Sequence, residues 1–362
     1  MATVTPHAGV LRIRPHMIIA EEGDETTHIE INIASNESAH GPSPAALAAG
    51  IKAMHSVERY SETAATTIAH AIARHFGLNP DGVVCGFGSD DLLARTARVY
   101  LSDGDELIYT ANGYQKIPNY AYANGADAIA APDKNFRADV DSMLSCVTDN
   151  TRVVMIANPD NPTGSYLSGK EIRRLHAGLP DNVLLVLDSA YFEYVEADDY
   201  ESPIALVEET QNVIMTRTFS KIYGLAGIRL GWAYAPARVA DMLRRVGITF
   251  PVSGPAFSSG MAALRDTEHT AHVYADSVKV RRWFCDALAE NGLTVHPTQT
   301  NFVLATFPDP ERSAQMAYDY LLENGIAARR LTTPNFSNCV RYTFGFDHEM
   351  SRTAEVMRDF FR

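Results

Sequence analysis

The chain has 362 residues and a formal charge of −13, with 44 acidic against 31 basic side chains; this length supports about two domains. An acidic balance without a basic cluster excludes a nonspecific grip on nucleic acid, which depends on excess Lys and Arg. Four scattered cysteines, Cys85, Cys146, Cys285 and Cys339, form no CxxC pair and mark neither a zinc finger nor a disulfide framework, and no apolar run has the length of a signal core or a membrane span, so a cytoplasmic protein without membrane partners is expected.

Residues 1–30 read as an arm with one short apolar stretch, Met17-Ile18-Ile19-Ala20. Ile29-Glu30-Ile31-Asn32-Ile33 alternates apolar and polar residues, the pattern of a half-buried strand, and runs into Ala34-Ser35-Asn36-Glu37. Ser43 is placed to cap a helix opening at Pro44, and a second helix over 66–76 is stopped by Gly77. From Gly82 to about Arg217, strands at 83–85, 106–109, 126–130, 153–157, 183–187 and 213–216 alternate with helical patterns such as 91–101, 118–124 and 168–177. Such alternation signals an α/β architecture, a mostly parallel sheet sandwiched by helices, whose ligands gather at the strand carboxyl ends. Beyond Pro255 the texture changes to a long helical stretch through Leu288, a strand at 302–305, a helix at 313–324, a strand at 340–344 and a last helix at 348–361. The expected division is a segment over 1–40 that contributes to the small domain, a large domain over 41–254 and a smaller α+β domain over 255–362.

The chemistry centres on Thr218-Phe219-Ser220-Lys221 and the glycine-rich residues that follow, through Arg229 and Gly231. A lysine amine condenses with an aldehyde, and the hydroxyls of Thr218 and Ser220 with the Arg229 guanidinium can hold a phosphate beside it. Pyridoxal phosphate requires both. Asp188 ends the apolar run 183–187, where a buried carboxylate needs a positive partner such as a protonated pyridine nitrogen; a helix cap is the alternative. Gly86-Phe87-Gly88-Ser89-Asp90-Asp91 follows a strand and opens a helix, so the amides of Ser89 and Asp90 can face a phosphate. Asp91 stands where a dinucleotide fingerprint wants a small residue, and Glu171 likewise breaks a near P-loop at 164–171. Asn158-Pro159-Asp160-Asn161-Pro162-Thr163-Gly164 is either a surface turn or a rigid loop that holds an amide against a flat ring. Arg341 lies inside a strand pattern, where an unpaired cation is costly and a bidentate carboxylate partner is suggested. The twelve histidines show no HxxxH spacing, and no metal is expected.

These motifs resemble fold-type I pyridoxal-phosphate-dependent aminotransferases, the aspartate aminotransferase-like fold, and within them the histidinol-phosphate aminotransferase group, through most of the chain. The resemblance implies pyridoxal 5'-phosphate as cofactor and Lys221 as the catalytic amine, with Asn161 and Tyr191 reaching the ring hydroxyl and Tyr114 stacking on the ring, unless Tyr114 is a core residue. It implies Arg341 on the substrate α-carboxylate, Arg329 on a substrate phosphate and Asn36 among the substrate-binding residues, and Arg330 beside Arg329 leaves that register open. Tyr60 matches a tyrosine that reaches the cofactor phosphate of a neighbouring subunit, which implies a homodimer with shared sites. The implied substrates are an amino acid or amino-phosphate and a 2-oxo acid. Relatives often read Asn-Pro-Tyr-Gly-Pro-Ser where this chain has Ser38-Ala39-His40-Gly41-Pro42-Ser43, and an early Pro-Tyr is here Pro15-His16; these differences keep an aromatic amino-acid aminotransferase as the alternative. A same-fold decarboxylase would lack Arg341, and a binding module would have lost Lys221 or Asp188.

Overall fold

The strand expected at 29–33 shortens to β1 (Ile31–Asn32), which pairs in parallel with the equally short Ile326–Ala327 before the backbone turns at Asn36, φ +56°. The computed structural model describes residues 4–13 and 28–362, and the apolar run at 17–20 and the Pro15-His16 pair lie outside them. Seven strands then build the large sheet: β2 (Val83–Gly86), β3 (Glu106–Thr110), β4 (Asp127–Ala131), β5 (Thr151–Ala157), β6 (Leu184–Asp188), β7 (Val213–Thr218) and β8 (Gly231–Tyr234). Their order is β2-β8-β7-β6-β5-β3-β4, all pointing one way except β8, which runs antiparallel to both neighbours.

Successive residues of a strand face opposite sides of the sheet. Here both sides are covered: Val154, Leu185, Leu187 and Met215 pack with Ile68, Ile72, Ile172 and Leu175 on one face. Val153, Met155, Val186 and Ile214 pack with Leu92, Leu93, Tyr120 and Leu243 on the other. This double burial is why the central strands β5 and β6 read as near-continuous apolar runs. The flanking helices are set by their ends. Ser43 Oγ accepts from the Ala46 amide at 3.2 Å to start Pro44–Ala53, Gly77 at φ +70° ends Thr66–Phe76, and Ser168 and Glu171 form a reciprocal capping box on Gly169–Ala177.

The stretch expected as one helix over 255–288 is two, Gly254–Ala263 and Thr267–Glu290. The break falls before Asp266, whose carboxylate accepts from the His269 amide at 3.2 Å and restarts the helix. The remaining strands are β9 (Thr294–Val295), β10 (Phe302–Thr306), β11 (Ile326–Ala327), β12 (Arg329–Arg330) and β13 (Cys339–Thr343). Of these, β9-β10-β13-β12 form an antiparallel sheet over a second core that includes Phe284, Leu288, Val303, Leu321, Tyr342 and Met350. The Thr343 amide donates to the Ile33 carbonyl at 3.0 Å, so the segment leading to Asn36 is stitched to both β11 and β13. Among the described residues no helix is long and apolar enough to cross a membrane.

Candidate active site

Antiparallel β8 fixes the position of the site. Gly231 pairs with Gly86 on one side and Thr218 on the other, which holds the carboxyl ends of β2 and β7 one strand apart. A Cβ at 231 would run into the Gly88 backbone and the Ser89 nitrogen, so only glycine permits this approach. Gly88, at φ +82°, turns the chain into the helix Ser89–Tyr100 and points its first amides at the gap. Across the gap Thr218 Oγ1 donates to Ser220 Oγ at 2.9 Å, and Arg229 donates to Ser220 Oγ at 3.4 Å and to the Ala226 carbonyl at 3.0 Å. A helix N-terminus, two hydroxyls and a guanidinium thus converge on a cup suited to an anion.

A carboxylate at Asp90 is at odds with such a cup, and the fold answers it. Burial opposes ionisation, but Lys116 at 2.6 Å and the hydroxyls of Tyr120 and Tyr114 at 2.7 and 2.9 Å hold Asp90 below the usual carboxylate range. Sequence reasoning missed Lys116, because nothing in its local pattern signals that it matches a charge on another element.

Asp188, at the end of β6, is buried and accepts from Thr216 Oγ1 at 2.8 Å. Burial pushes its pKa up to about 7, which the Thr216 bond and the charge of Lys221 only partly oppose. Lys221 Nζ donates to the Asn36 carbonyl at 3.0 Å and lies 5.7 Å from the centroid of the Tyr191 ring. Burial, and after it the charge of Arg341, brings its pKa down to about 8, so a share of the amine is neutral and nucleophilic close to neutral pH. Asn36 ties this end together: Nδ2 donates to the Tyr191 hydroxyl at 2.9 Å, Oδ1 accepts from Thr343 at 3.2 Å, and its carbonyl also accepts from Asn301 at 3.2 Å. Asn301 is a second residue that the sequence did not single out.

Two adjoining cavities, of about 250 and 210 Å³, share Ser35, Tyr114, Asn161, Tyr191 and Lys221. The first is also lined by Ser89, Asp90, Asp188, Thr218, Ser220 and Arg229, the second by Asn36, Arg329 and Arg341. Arg341 is buried and donates to Asn161 Oδ1 and to the Ala34 carbonyl, each at 2.6 Å, while its Nε has no partner. These partners are neutral oxygens. Burial therefore draws the guanidinium down to about 10, and an anionic ligand would complete its contacts. Arg329 lies directly opposite Arg341 in the β12–β13 ladder and lines the same cavity; strand alternation turns Arg330 to the other face. Tyr60 lies outside both cavities, 83% exposed and stacked on Phe250 with ring centroids 4.2 Å apart.

Residues 28–356 match the family model of aminotransferase class I and II, and the chain belongs to that family of transaminases. Within it, the chain is 42% identical to the histidinol-phosphate aminotransferase of Rhodospirillum centenum over 362 residues, the whole of both chains. The crystal structure of histidinol-phosphate aminotransferase from Sinorhizobium meliloti in complex with pyridoxal-5'-phosphate superposes with a TM-score of 0.90 at 29% identity, covering 99% of each chain. Aspartate aminotransferase from Thermus thermophilus, at 18% identity and a TM-score of 0.84 over 99% of this chain and 100% of that one, shares the fold. The cofactor is pyridoxal 5'-phosphate, and the residues present fit it. The cup has the donors its phosphate needs, the raised pKa of Asp188 marks a carboxylate lacking the cation that a protonated ring nitrogen would supply, and Lys221, its pKa lowered to about 8, lines the same cavity.

Proposed function

We propose that the chain is a histidinol-phosphate aminotransferase, exchanging an amino group between histidinol phosphate and 2-oxoglutarate in histidine biosynthesis, with a cytoplasmic location as the matching context. The observation that carries this reading is a cavity in which Lys221 faces two arginines, Arg341 and Arg329, one of them buried without an anionic partner. Identity of about 40% over full length with curated enzymes of that name supports it.

Bound pyridoxal phosphate supplies an aldehyde that takes up the amino group and a pyridinium ring that withdraws electrons. The chain's own residues bind, orient and move protons around it. Asp188, ionised beside a protonated ring nitrogen, would keep that proton in place. Asn161 spends its Oδ1 on Arg341, which leaves Nδ2 to donate, and the Tyr191 hydroxyl, accepting from Asn36, keeps its own hydrogen to donate. Burial pushes Tyr191 up to about 12, so it stays a donor at neutral pH. Arg341 and Arg329 would grip the anionic end of the substrate, a carboxylate in glutamate and a phosphate ester in histidinol phosphate. Lys221 Nζ would then take the proton from the substrate α-carbon as a neutral base.

The same reading makes the protein a homodimer. Leu47, Ile51, Met54, Val57 and Ile248 are each more than half exposed and accompany Tyr60, an apolar set that a second copy would cover. From there Tyr60 would reach the partner's phosphate cup. Substrate identity is tested by mixing holoenzyme with histidinol phosphate, glutamate or phenylalanine and following the visible absorbance of the bound cofactor. Histidinol phosphate and glutamate are expected to bleach it. If phenylalanine bleaches the band and histidinol phosphate leaves it intact, the chain is an aromatic aminotransferase instead.

A further inference from the structure

Away from the two cavities, the described residues include one group of side chains with metal-ligand spacing: His40, His272 and Asp276. Nε2 of His40 and Nε2 of His272 stand 3.3 and 3.7 Å from the same carboxylate oxygen, Asp276 Oδ2, and one ligand atom from each residue falls within 4.8 Å of the others. Donors placed ~2.0–2.1 Å from a tetrahedral zinc ion are ~3.3–3.4 Å apart, so small side-chain adjustments close this triangle on a metal. A simple ion pair needs one imidazole; here two converge on one oxygen.

Chain geometry explains the convergence. His272 and Asp276 are one turn apart on the helix Thr267–Glu290 and share a face. His40 arrives from the loop after Asn36, its ring set edge-on against Phe346 and His272 with centroids 4.9 and 5.0 Å away. One turn before His272, His269 Nε2 lies 3.1 Å from the Gly41 carbonyl, so this loop is already held to the helix. The His272 and Asp276 side chains are 62% and 45% exposed, which leaves the open side of the triangle to water.

We propose that His40, His272 and Asp276 form a binding site for a divalent transition-metal ion, zinc foremost, with water completing the coordination. Two imidazoles and a carboxylate suit zinc and its neighbours rather than magnesium or calcium, which prefer oxygen alone. The site is separate from the transaminase machinery and does not depend on the substrate assignment. Its consequence reaches that machinery through the chain: the ion would clamp to one helix the loop that directly follows Asn36, whose carbonyl accepts from Lys221.

The test uses holoenzyme free of any polyhistidine tag, treated with chelator, dialysed and titrated calorimetrically with zinc chloride. One saturable equivalent per chain is expected. Affinity should fall at least roughly tenfold in His272→Ala and in Asp276→Asn, both of which are exposed and should keep the cofactor's visible absorbance. Zinc should raise the melting temperature of the parent protein more than that of either variant. If the parent takes up no zinc below about 100 µM, or if both variants bind it as tightly as the parent, the site does not exist.

Discussion

Replacing Arg341 by glutamine tests the substrate end of the site most directly. The guanidinium commits one nitrogen to Asn161 Oδ1 and another to the Ala34 carbonyl, leaves Nε without a partner and lies 5.2 Å from the Phe302 ring centroid. A carboxylate bound there would gain two hydrogen bonds to a cation, each worth about 1.5–3 kcal/mol. Their removal amounts to about 3–6 kcal/mol, which at about 1.4 kcal/mol per decade lowers kcat/KM for glutamate on the order of 10²- to 10⁴-fold. The substitution also acts on Lys221, because the charge of Arg341 is the second cause, after burial, that holds its pKa down to about 8. With that charge gone the ammonium form is favoured, so uptake of pyridoxal phosphate by the apoprotein, which needs the neutral amine, shifts to higher pH. Stopped-flow half-reactions with glutamate read the first effect, the pH dependence of cofactor uptake reads the second, and thermal melting checks the fold. A variant that keeps glutamate kcat/KM within about fivefold of the parent refutes the proposed grip on the carboxylate.

Burial pushes the Asp188 carboxyl up to about 7 in the folded protein, above the ~3.9 of an unfolded aspartate. Between those values the folded state binds the extra proton, so the contribution of Asp188 to apoprotein stability should fall as pH rises from about 4 to about 7 and level off above. In Asp188→Asn that slope should vanish, the apoprotein should be on the order of 2–4 kcal/mol more stable than the parent at pH 8, and cofactor retention should weaken. Urea unfolding of both apoproteins at pH 5 and pH 8 measures the slope, and parallel pH profiles would count against a neutral, unpaired carboxyl. Gly231→Ala drives a methyl group into the Ser89 nitrogen and should loosen the phosphate cup, raising the dialysis loss of pyridoxal phosphate roughly tenfold or more; unchanged retention would mean that the two strand ends can separate freely. Charging the exposed face with Leu47→Glu and Ile51→Glu together should yield monomers by sedimentation velocity. If the parent sediments as a dimer and the double variant does too, the proposed interface lies elsewhere.

The large sheet could be read because its central parallel strands, β5 and β6 above all, are buried on both faces, so the amino-acid text itself carries near-continuous runs of Val, Leu, Ile and Met there. Candidate site positions stood out for a related reason: Asp188 ends its strand, and Asn161 and Lys221 come a few residues after theirs, where polar residues interrupt such runs. What escaped depends on partners far away in the chain. Gly231-Trp232-Ala233-Tyr234 looks like the tail of a glycine-rich loop until Gly86 and Thr218 appear on either side of it. Lys116 has meaning only beside Asp90. The break before Thr267 rests on one cap, Asp266, in a stretch with helical texture on both sides. Histidine spacing along the chain reveals nothing of His40 and His272, which meet only when a loop folds onto a helix.

The reversed strand also bears on the order in which the molecule comes into being. The two rims of the phosphate cup, at Gly86–Ser89 and Thr218–Ser220, belong to strands that do not touch, and the keystone between them, Gly231–Tyr234, is synthesised after both. A polypeptide that ends before that point owns the Ser89 and Asp90 amides, both hydroxyls and the Arg229 guanidinium, yet has no arch to set them in. The cup for pyridoxal phosphate is therefore complete only when the last strand of the central sheet is in place.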